Sequence, residues 1–326
     1  MNILVTGGAG YIGSHVVKQL AEQTDHDIVV LDSLVTGFRE SVLYGDFIEA
    51  DLSDFDKIRE IIQENKFDAV IHFAASLVVP ESVENPLKYY LNNTANTANL
   101  IKQCVENGVN NFIFSSTAAV YGEPPIDEIP VTEESKTAPI NPYGSSKLMS
   151  EAVLKDTAFA YEDFNYVALR YFNVAGASVD GKIGQSTKDA TLLIKVAAET
   201  ALGKREKMYI FGDDYPTEDG TCIRDYIHVE DLASAHIKAL EYLQNSKKSG
   251  VFNCGYGHGF SVKEVLETMK RVSGVDFTVE LKERRAGDPA ILISDNSKIR
   301  DVMKWTPKYD DLELICKTGL EWEKKI

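Results

Sequence analysis

Tyr143 and Lys147 stand four residues apart in the run PYGSSK. At the head of a helix, that spacing puts both side chains on one face. A phenol titrates at ~10, too high for a base at neutral pH. A neighbouring ammonium favours the phenolate, and so would any other positive charge held beside it. Tyr143 could then take a proton from a hydroxyl group. Ser115, Ser116 and Thr117, in SSTAAVYG, offer a second hydroxyl to share it. Tyr-x-x-x-Lys alone is common on solvated helices, so its meaning depends on what else the chain brings to the same place.

The stretch TGGAGYIG supplies that context. Gly8, Gly10 and Gly13 fit G-x-G-x-x-G, and Gly7, Gly10 and Gly13 fit G-x-x-G-x-x-G. The apolar run Asn2–Val5 reads as a buried strand, and Tyr11–Gln23 reads as a helix with Ile12, Val16 and Leu20 on one face. Glycines between a strand and a helix N-terminus leave backbone N–H groups free to hold a phosphate. A second strand, Asp27–Leu31, ends at Asp32, nineteen residues past Gly13, where a ribose-binding carboxylate is expected. That carboxylate repels a 2′-phosphate. Ser33, Leu34 and Val35 supply no cation and Arg39 is seven residues on, so the pattern favours NAD over NADP. With a nicotinamide in place, Tyr143 would take a proton while hydride leaves the same carbon, and Lys147 would anchor the nicotinamide ribose.

These residues need a scaffold that gathers them. Further strands are expected at Phe47–Glu49, Asp68–Phe73, Asn111–Ser115 and Tyr166–Tyr171, with helices at Asp54–Asn65, Val83–Asn107 and Tyr143–Tyr161. Such alternation implies an α/β fold with a Rossmann-type, doubly wound parallel sheet covered on both faces. Ligands bind such sheets beyond the carboxyl ends of the strands. DLSDF, FAASLV and SSTAAVYG each follow a strand, so they should meet at that rim. The rhythm loosens after Phe172, with loop-rich stretches at 173–189 and 212–224. The expected division is a dinucleotide-binding domain at 1–172 and a smaller α/β substrate-binding lobe, mainly 173–326, with room for part of the later chain to return to the first. GYGHG also looks like a phosphate loop. It reads instead as a turn feeding a helix capped by Ser261 and Glu264, because no ribose acid follows it.

The 326 residues are 44% hydrophobic, enough for a sizeable core, and carry a net charge of −16. So acidic a surface argues against nucleic-acid binding. Cys104, Cys222, Cys254 and Cys316 are isolated, which suits a reducing compartment and gives no zinc or disulfide pattern. The six histidines lack metal-ligand spacing, and His72 and His228 read as packed near the site. No signal-like or membrane-spanning run is present, so a cytoplasmic protein without a membrane partner is expected.

TGGAGYIG, Asp51–Leu52, HFAA at His72–Ala75, SSTAAVYG, the Tyr-x-x-x-Lys pair and RYFNVAGA, in that order, resemble the motifs of the extended short-chain dehydrogenase/reductase family. KYYLNNT, IFGDDYPTEDGTCIRDYIHVEDLA and RRAGDPA extend the resemblance, within its UDP-sugar 4-epimerase branch, over essentially the whole chain. The resemblance implies Tyr143 as base, Lys147 as its partner and Thr117 in the Ser/Thr slot. It implies NAD contacts from Tyr11, Ile12, Asp32, Asp51, Leu52, Phe73, Ala74, Ala75, Asn92 and Tyr171, beside the glycines. The UDP part would be held by Asn173, Leu192, Phe211, Arg224, Arg285 and Asp288. Two arginines suit a diphosphate on their own account, because they offer bidentate geometry.

Ala118 and Ala119 stand where related dehydratases carry Asp-Glu, and methyl groups cannot shuttle a proton. Leu77 replaces a lysine found in many relatives, and Thr191 replaces a common asparagine. Leu292 falls at the position whose size is associated with admitting an N-acetyl group at C2 of the sugar; strict hexose enzymes tend to carry Tyr there. The expectation is therefore reversible C4 epimerisation of UDP-glucose/UDP-galactose and of UDP-N-acetylhexosamines by a homodimer. A net nucleotide-sugar oxidoreductase and a non-enzymatic NAD sensor are the alternatives.

Overall fold

The computed structural model describes residues 1–188, 191–285 and 287–326. Asp189, closing the expected loop 173–189, and Ala286, within RRAGDPA, lie outside them. The central sheet has seven parallel strands. Six are β1 (Asn2–Thr6), β2 (Asp27–Asp32), β3 (Asp46–Glu49), β4 (Ala69–His72), β5 (Asn111–Ser115) and β6 (Asn165–Tyr171). The seventh, Gly250–Cys254, comes from the later chain and pairs with β6. From it the order runs β6, β5, β4, β1, β2, β3. The winding direction reverses between β1 and β4, the point at which such sheets open a crevice. Register places Thr6 beside His72 and Leu31, and Phe114 beside His72, so the strands end along one rim.

Side chains alternate across the sheet. Ile3 and Val5 join an apolar cluster with Val16 and Leu20, while Leu4 joins Ile58, Val70, Phe112 and Leu154 on the other face. The first cluster continues through Leu232 and Leu240 into Ile194, Met269, Ile315 and Leu320. The later chain is therefore packed onto the sheet through a shared core. Its own strands form small sheets, among them Ile223–Arg224 between Phe260–Ser261 and Ile291–Leu292. Among the described residues, no helix is long and apolar enough to cross a membrane.

One expected element is corrected. In place of a single helix over Val83–Asn107, the chain forms Val79–Glu84, Pro86–Tyr89, a π-helical turn Tyr90–Ala95 and Asn96–Glu106. Pro86 has no N–H and its ring opposes a preceding helical turn, so the first break falls there. In the π turn Asn93 bonds outward on three sides, to the Ser76 amide, the Ser76 carbonyl and the Ser146 hydroxyl, at 2.8–3.0 Å. The backbone widens where it must aim that side chain.

Candidate active site

The glycine turn is built by close approach. Gly7 has φ +72, and a Cβ there would lie 2.5 Å from the Ala74 amide nitrogen. A Cβ on Gly13 would lie 2.3 Å from the Gly7 carbonyl oxygen. These two glycines let β1, the Phe73–Ala75 loop and helix Tyr11–Gln23 touch backbone to backbone. Gly10 differs: a Cβ there would meet only the Gly7 carbonyl oxygen, at 3.2 Å, so its outer side is open. Gly10 caps the helix without a side chain, and the first-turn N–H groups that follow have no intrahelical acceptor. The cradle fits an anionic diphosphate.

Asp32 ends β2 beside that turn and is buried. It accepts the Ala9 and Leu34 N–H groups at 2.9 Å each, which leaves further lone pairs on both oxygens. Burial pushes its carboxyl pKa up, opposed by those N–H groups. A Cβ on Gly37 would sit 3.0 Å from the Asp32 carboxylate, so only glycine leaves the space beside it free. Arg39 turns away, donating to the Val42 carbonyl and lying 4.6 Å from the centre of the Phe47 ring. Arg39 is therefore not poised for a 2′-phosphate. Asp51 is exposed at the end of β3, and the Leu52 side chain packs into the sheet's second apolar cluster. Asn92 donates to the Ser76 hydroxyl at 3.0 Å, and the Tyr11 hydroxyl donates to the Gly176 carbonyl at 2.6 Å.

The chemistry-bearing helix is Pro142–Ala160, capped by Asn141, whose side chain accepts the Gly144 N–H at 2.9 Å. Pro142 suits the first helical position, where no N–H is needed. A Cβ on Gly144 would lie 2.6 Å from the Ala119 carbonyl oxygen, so the helix head rests directly on the turn Ala118–Tyr121. That contact brings Tyr143 to Thr117, whose hydroxyl works against burial in holding the phenol pKa down and accepts the Ala119 N–H at 3.1 Å. Lys147 is buried and donates to the Ser115 carbonyl at 2.8 Å. The Ser115 hydroxyl pairs with Tyr171 at the end of β6.

Burial raises the Tyr143 pKa, partly offset by Thr117, and burial lowers Lys147 to about 7. The sequence expectation of a depressed phenol draws on two positive charges, the lysine's and that of a bound nicotinamide. His72 lies beneath, buried, between the Thr6 hydroxyl at 2.6 Å and the Thr97 hydroxyl at 2.8 Å. Thr97 donates to the Asn93 carbonyl, so it accepts from His72 Nε2, while the Thr6 hydroxyl faces Nδ1. Burial takes the His72 pKa down to about 3.

The residues expected on the substrate side fall into two groups that adjoin this rim. Asn173 and Leu192 line one cavity with Tyr11, Tyr226 and Trp322. The Arg224 guanidinium donates to Asp288 at 2.9 Å, and Arg285 lies over the Phe211 ring at 3.7 Å. Leu292 pairs in register with Arg224 and packs with Ala118, Val120 and Phe172, next to the Thr117 turn. Leu77 is exposed, as is Thr191.

Sequence reasoning named Ser116 only as a possible hydroxyl and passed over Asn93, Ser146, Glu151 and Arg170. The last two carried a signal: Arg170 is a charge inside the otherwise apolar run of β6, and Glu151 repeats the four-residue step from Tyr143 and Lys147.

Comparison with known proteins places these features in context. Residues 3–255 match the model of the NAD dependent epimerase/dehydratase family. The UDP-glucose 4-epimerase of Azospirillum brasilense is 48% identical, over 99% of this chain and 92% of its own. The UDP-Glc/GlcNAc 4-epimerase structure from Campylobacter jejuni is 60% identical, covering 100% of this chain and 99% of that one, with a TM-score of 0.87. The Brucella ovis UDP-glucose 4-epimerase structure in complex with NAD is 44% identical, covering 98% and 97%, with a TM-score of 0.94.

Proposed function

The chain belongs to the NAD dependent epimerase/dehydratase family, and on that premise we propose that it is an NAD-dependent UDP-sugar 4-epimerase. It interconverts UDP-glucose with UDP-galactose, and UDP-N-acetylglucosamine with UDP-N-acetylgalactosamine. The observation that carries this reading is the meeting of two machines at one rim: an open glycine cradle with Asp32, and the Thr117–Tyr143–Lys147 set. NAD is held by Gly7, Gly10 and Gly13, by Tyr11, Ile12, Asp32, Asp51 and Leu52, by Phe73–Ala75 and Asn92, and by Lys147 and Tyr171. The chemistry it supplies is reversible hydride acceptance.

Tyr143 takes the proton of the C4 hydroxyl, with Thr117 sharing it, and later returns a proton to the same oxygen. Arg224 and Arg285 hold the diphosphate, while Asn173, Leu192, Phe211 and Asp288 line the rest of the UDP site. The 4-keto sugar turns about its diphosphate linkage and presents its other face. Ala118 and Ala119 leave no acid/base pair for eliminating water. Leu292, beside the Thr117 turn, leaves more room at C2 than a tyrosine would, and the two-substrate name of the Campylobacter jejuni relative supports the wider scope.

Residues 1–172 form the cofactor domain and 173–326 mainly the UDP-sugar lobe, the strand Gly250–Cys254 returning to the first. The active form is a homodimer. Val83, Leu87 and Leu91, on three successive short segments, are 63%, 70% and 64% exposed and offer apolar surface to a second copy. Four buried free cysteines suit the cytoplasm.

Purified protein, given each UDP-sugar without added NAD, should form the C4 epimer and yield NAD on denaturation. Tyr143→Phe should lower kcat by about 10²–10⁴-fold with the fold intact. Activity that consumes NAD would favour an oxidoreductase, and inertness towards UDP-N-acetylglucosamine would leave only the hexose reaction.

A further inference from the structure

The stripe that carries Tyr143 and Lys147 has a third rung. Glu151 is one helical step of four residues beyond Lys147, on the same face of Pro142–Ala160. It is buried, as is Arg170 in the middle of β6. The guanidinium grips it with both arms: Nε donates to Oε1 at 2.9 Å and Nη2 to Oε2 at 2.6 Å. Burial alone would lower the Arg170 pKa, but the Glu151 charge and hydrogen bonds raise it, so the guanidinium stays charged. Arg170 also donates to the Tyr121 hydroxyl at 3.1 Å, which donates to Asn253 at 2.7 Å. Removing one partner from such a pair leaves a buried charge uncompensated.

What singles this pair out is Ser116. Its hydroxyl donates to Glu151 and its N–H to the Leu169 carbonyl at 2.9 Å. Ser116 sits between the two residues that touch the reacting set. The Ser115 carbonyl takes the Lys147 ammonium, and the Thr117 hydroxyl faces the Tyr143 phenol. Three consecutive residues thus receive three rungs of one helix stripe.

We propose that Glu151, clamped by Arg170, is a positioning residue: through Ser116 it sets the distance between the Ser115–Thr117 segment and the helix that presents Tyr143 and Lys147. The inference rests on the epimerase reading above for its kinetic test and on geometry alone for its spectroscopic one. A displacement of about an ångström in a reacting set costs on the order of a hundredfold in rate. The loss should fall on kcat, because neither Ser116 nor Glu151 is placed to hold the UDP group. It should also move the base. Thr117 from the turn, Tyr171 from β6 and Tyr89 from helix Pro86–Tyr89 face Tyr143, and Lys147 stands one turn along the same helix. Of these, the Thr117 hydroxyl favours the phenolate, so moving it away raises the phenol pKa.

The experiment uses the NAD-loaded full chain carrying Ser116→Ala, which leaves the ion pair intact, and separately Glu151→Gln. Phe164→Leu, in the apolar cluster that takes Leu154 from the later turns of the same helix, serves as a stability control. Both test variants should lose kcat by on the order of ten- to a hundredfold with little change in KM. The acid limb of kcat should move to higher pH. Ultraviolet titration of the Tyr143 phenol, taken as the difference from Tyr143→Phe, should show the same upward shift without turnover. Phe164→Leu should lower Tm and leave kcat and the pH profile in place. Unchanged kcat and phenol titration in Ser116→Ala would overturn the proposal, as would losses no larger than those of the control at matched Tm. A wild-type chain inactive on UDP-sugars would fault the epimerase reading, and the phenol titration would still decide the positioning role.

Discussion

Two glycine-rich turns in this chain read alike and do opposite things. TGGAGYIG ends β1 with an uncapped helix head and an open side at Gly10. GYGHG, at Gly255–Gly259, follows the strand Gly250–Cys254 with a similar spacing. Its amides are already taken: the buried Asp225 accepts the Tyr256 N–H at 2.8 Å and the Gly257 N–H at 3.1 Å, and the Ser294 hydroxyl at 2.6 Å. A Cβ on Gly255 would lie 2.4 Å from that carboxylate. One nest of N–H groups waits for an external anion; the other holds an anion supplied by the chain itself. Glycine spacing specifies a turn that can present donors. Which acceptor fills it is decided by what packs opposite.

The sharpest way to break this contrast is to add one methyl group to each turn. Gly7→Ala must bear a left-handed backbone and an overlap with the Ala74 backbone, so it should lose roughly 2–4 kcal/mol of stability and its bound NAD. Gly257 is also left-handed, with φ +84, but the nearest atoms to its Cβ are 3.6 Å away. Gly257→Ala should therefore lose only about 1–2 kcal/mol and keep its NAD. Denaturant unfolding and extraction of the cofactor measure both. A Gly257→Ala protein stripped of NAD would erase the distinction.

A smaller effect should come from Asp225→Asn, which replaces one acceptor oxygen with a donor facing N–H groups. The expected cost is roughly 1–3 kcal/mol of stability, with NAD content unchanged and KM for the UDP-sugar raised through the adjoining Arg224. A loss of NAD instead would show that the second turn also serves the cofactor.

The smallest effect concerns Asp32 in protein stripped of cofactor. Burial holds its folded pKa above the ordinary carboxylate value. Its contribution to stability is then complete below the unfolded pKa and is lost as pH rises through the folded one. Asp32→Asn should remove that slope from thermal melts across the carboxylate range while weakening NAD binding. A melt profile identical to wild type would mean that Asp32 ionises as freely in the fold as in the unfolded chain.

Much of this was legible beforehand because the signals are local. Tyr11–Gln23 and Asn111–Ser115 form as expected, since apolar periodicity and caps act over a few residues. Ser261 and Glu264 close the capping box that marks GYGHG as a turn into a helix. The break at Pro86 was visible in its residue type, but the π turn was not. It depends on Asn93 finding Ser76 and Ser146, 17 and 53 residues away in the chain.

By itself, then, the sequence determined the order of the first six strands, the glycine turn, the acid after β2 and the Tyr143–Lys147 spacing, because each follows from neighbours along the chain. Only the tertiary structure decided that Arg39 turns from Asp32, that Asp225 fills the second turn, and that Glu151 meets both Arg170 and Ser116. Those outcomes depend on which donor finds which acceptor once water is excluded. Burial makes an unpaired charge costly, so the pairing is settled by packing among distant segments that no local spacing records.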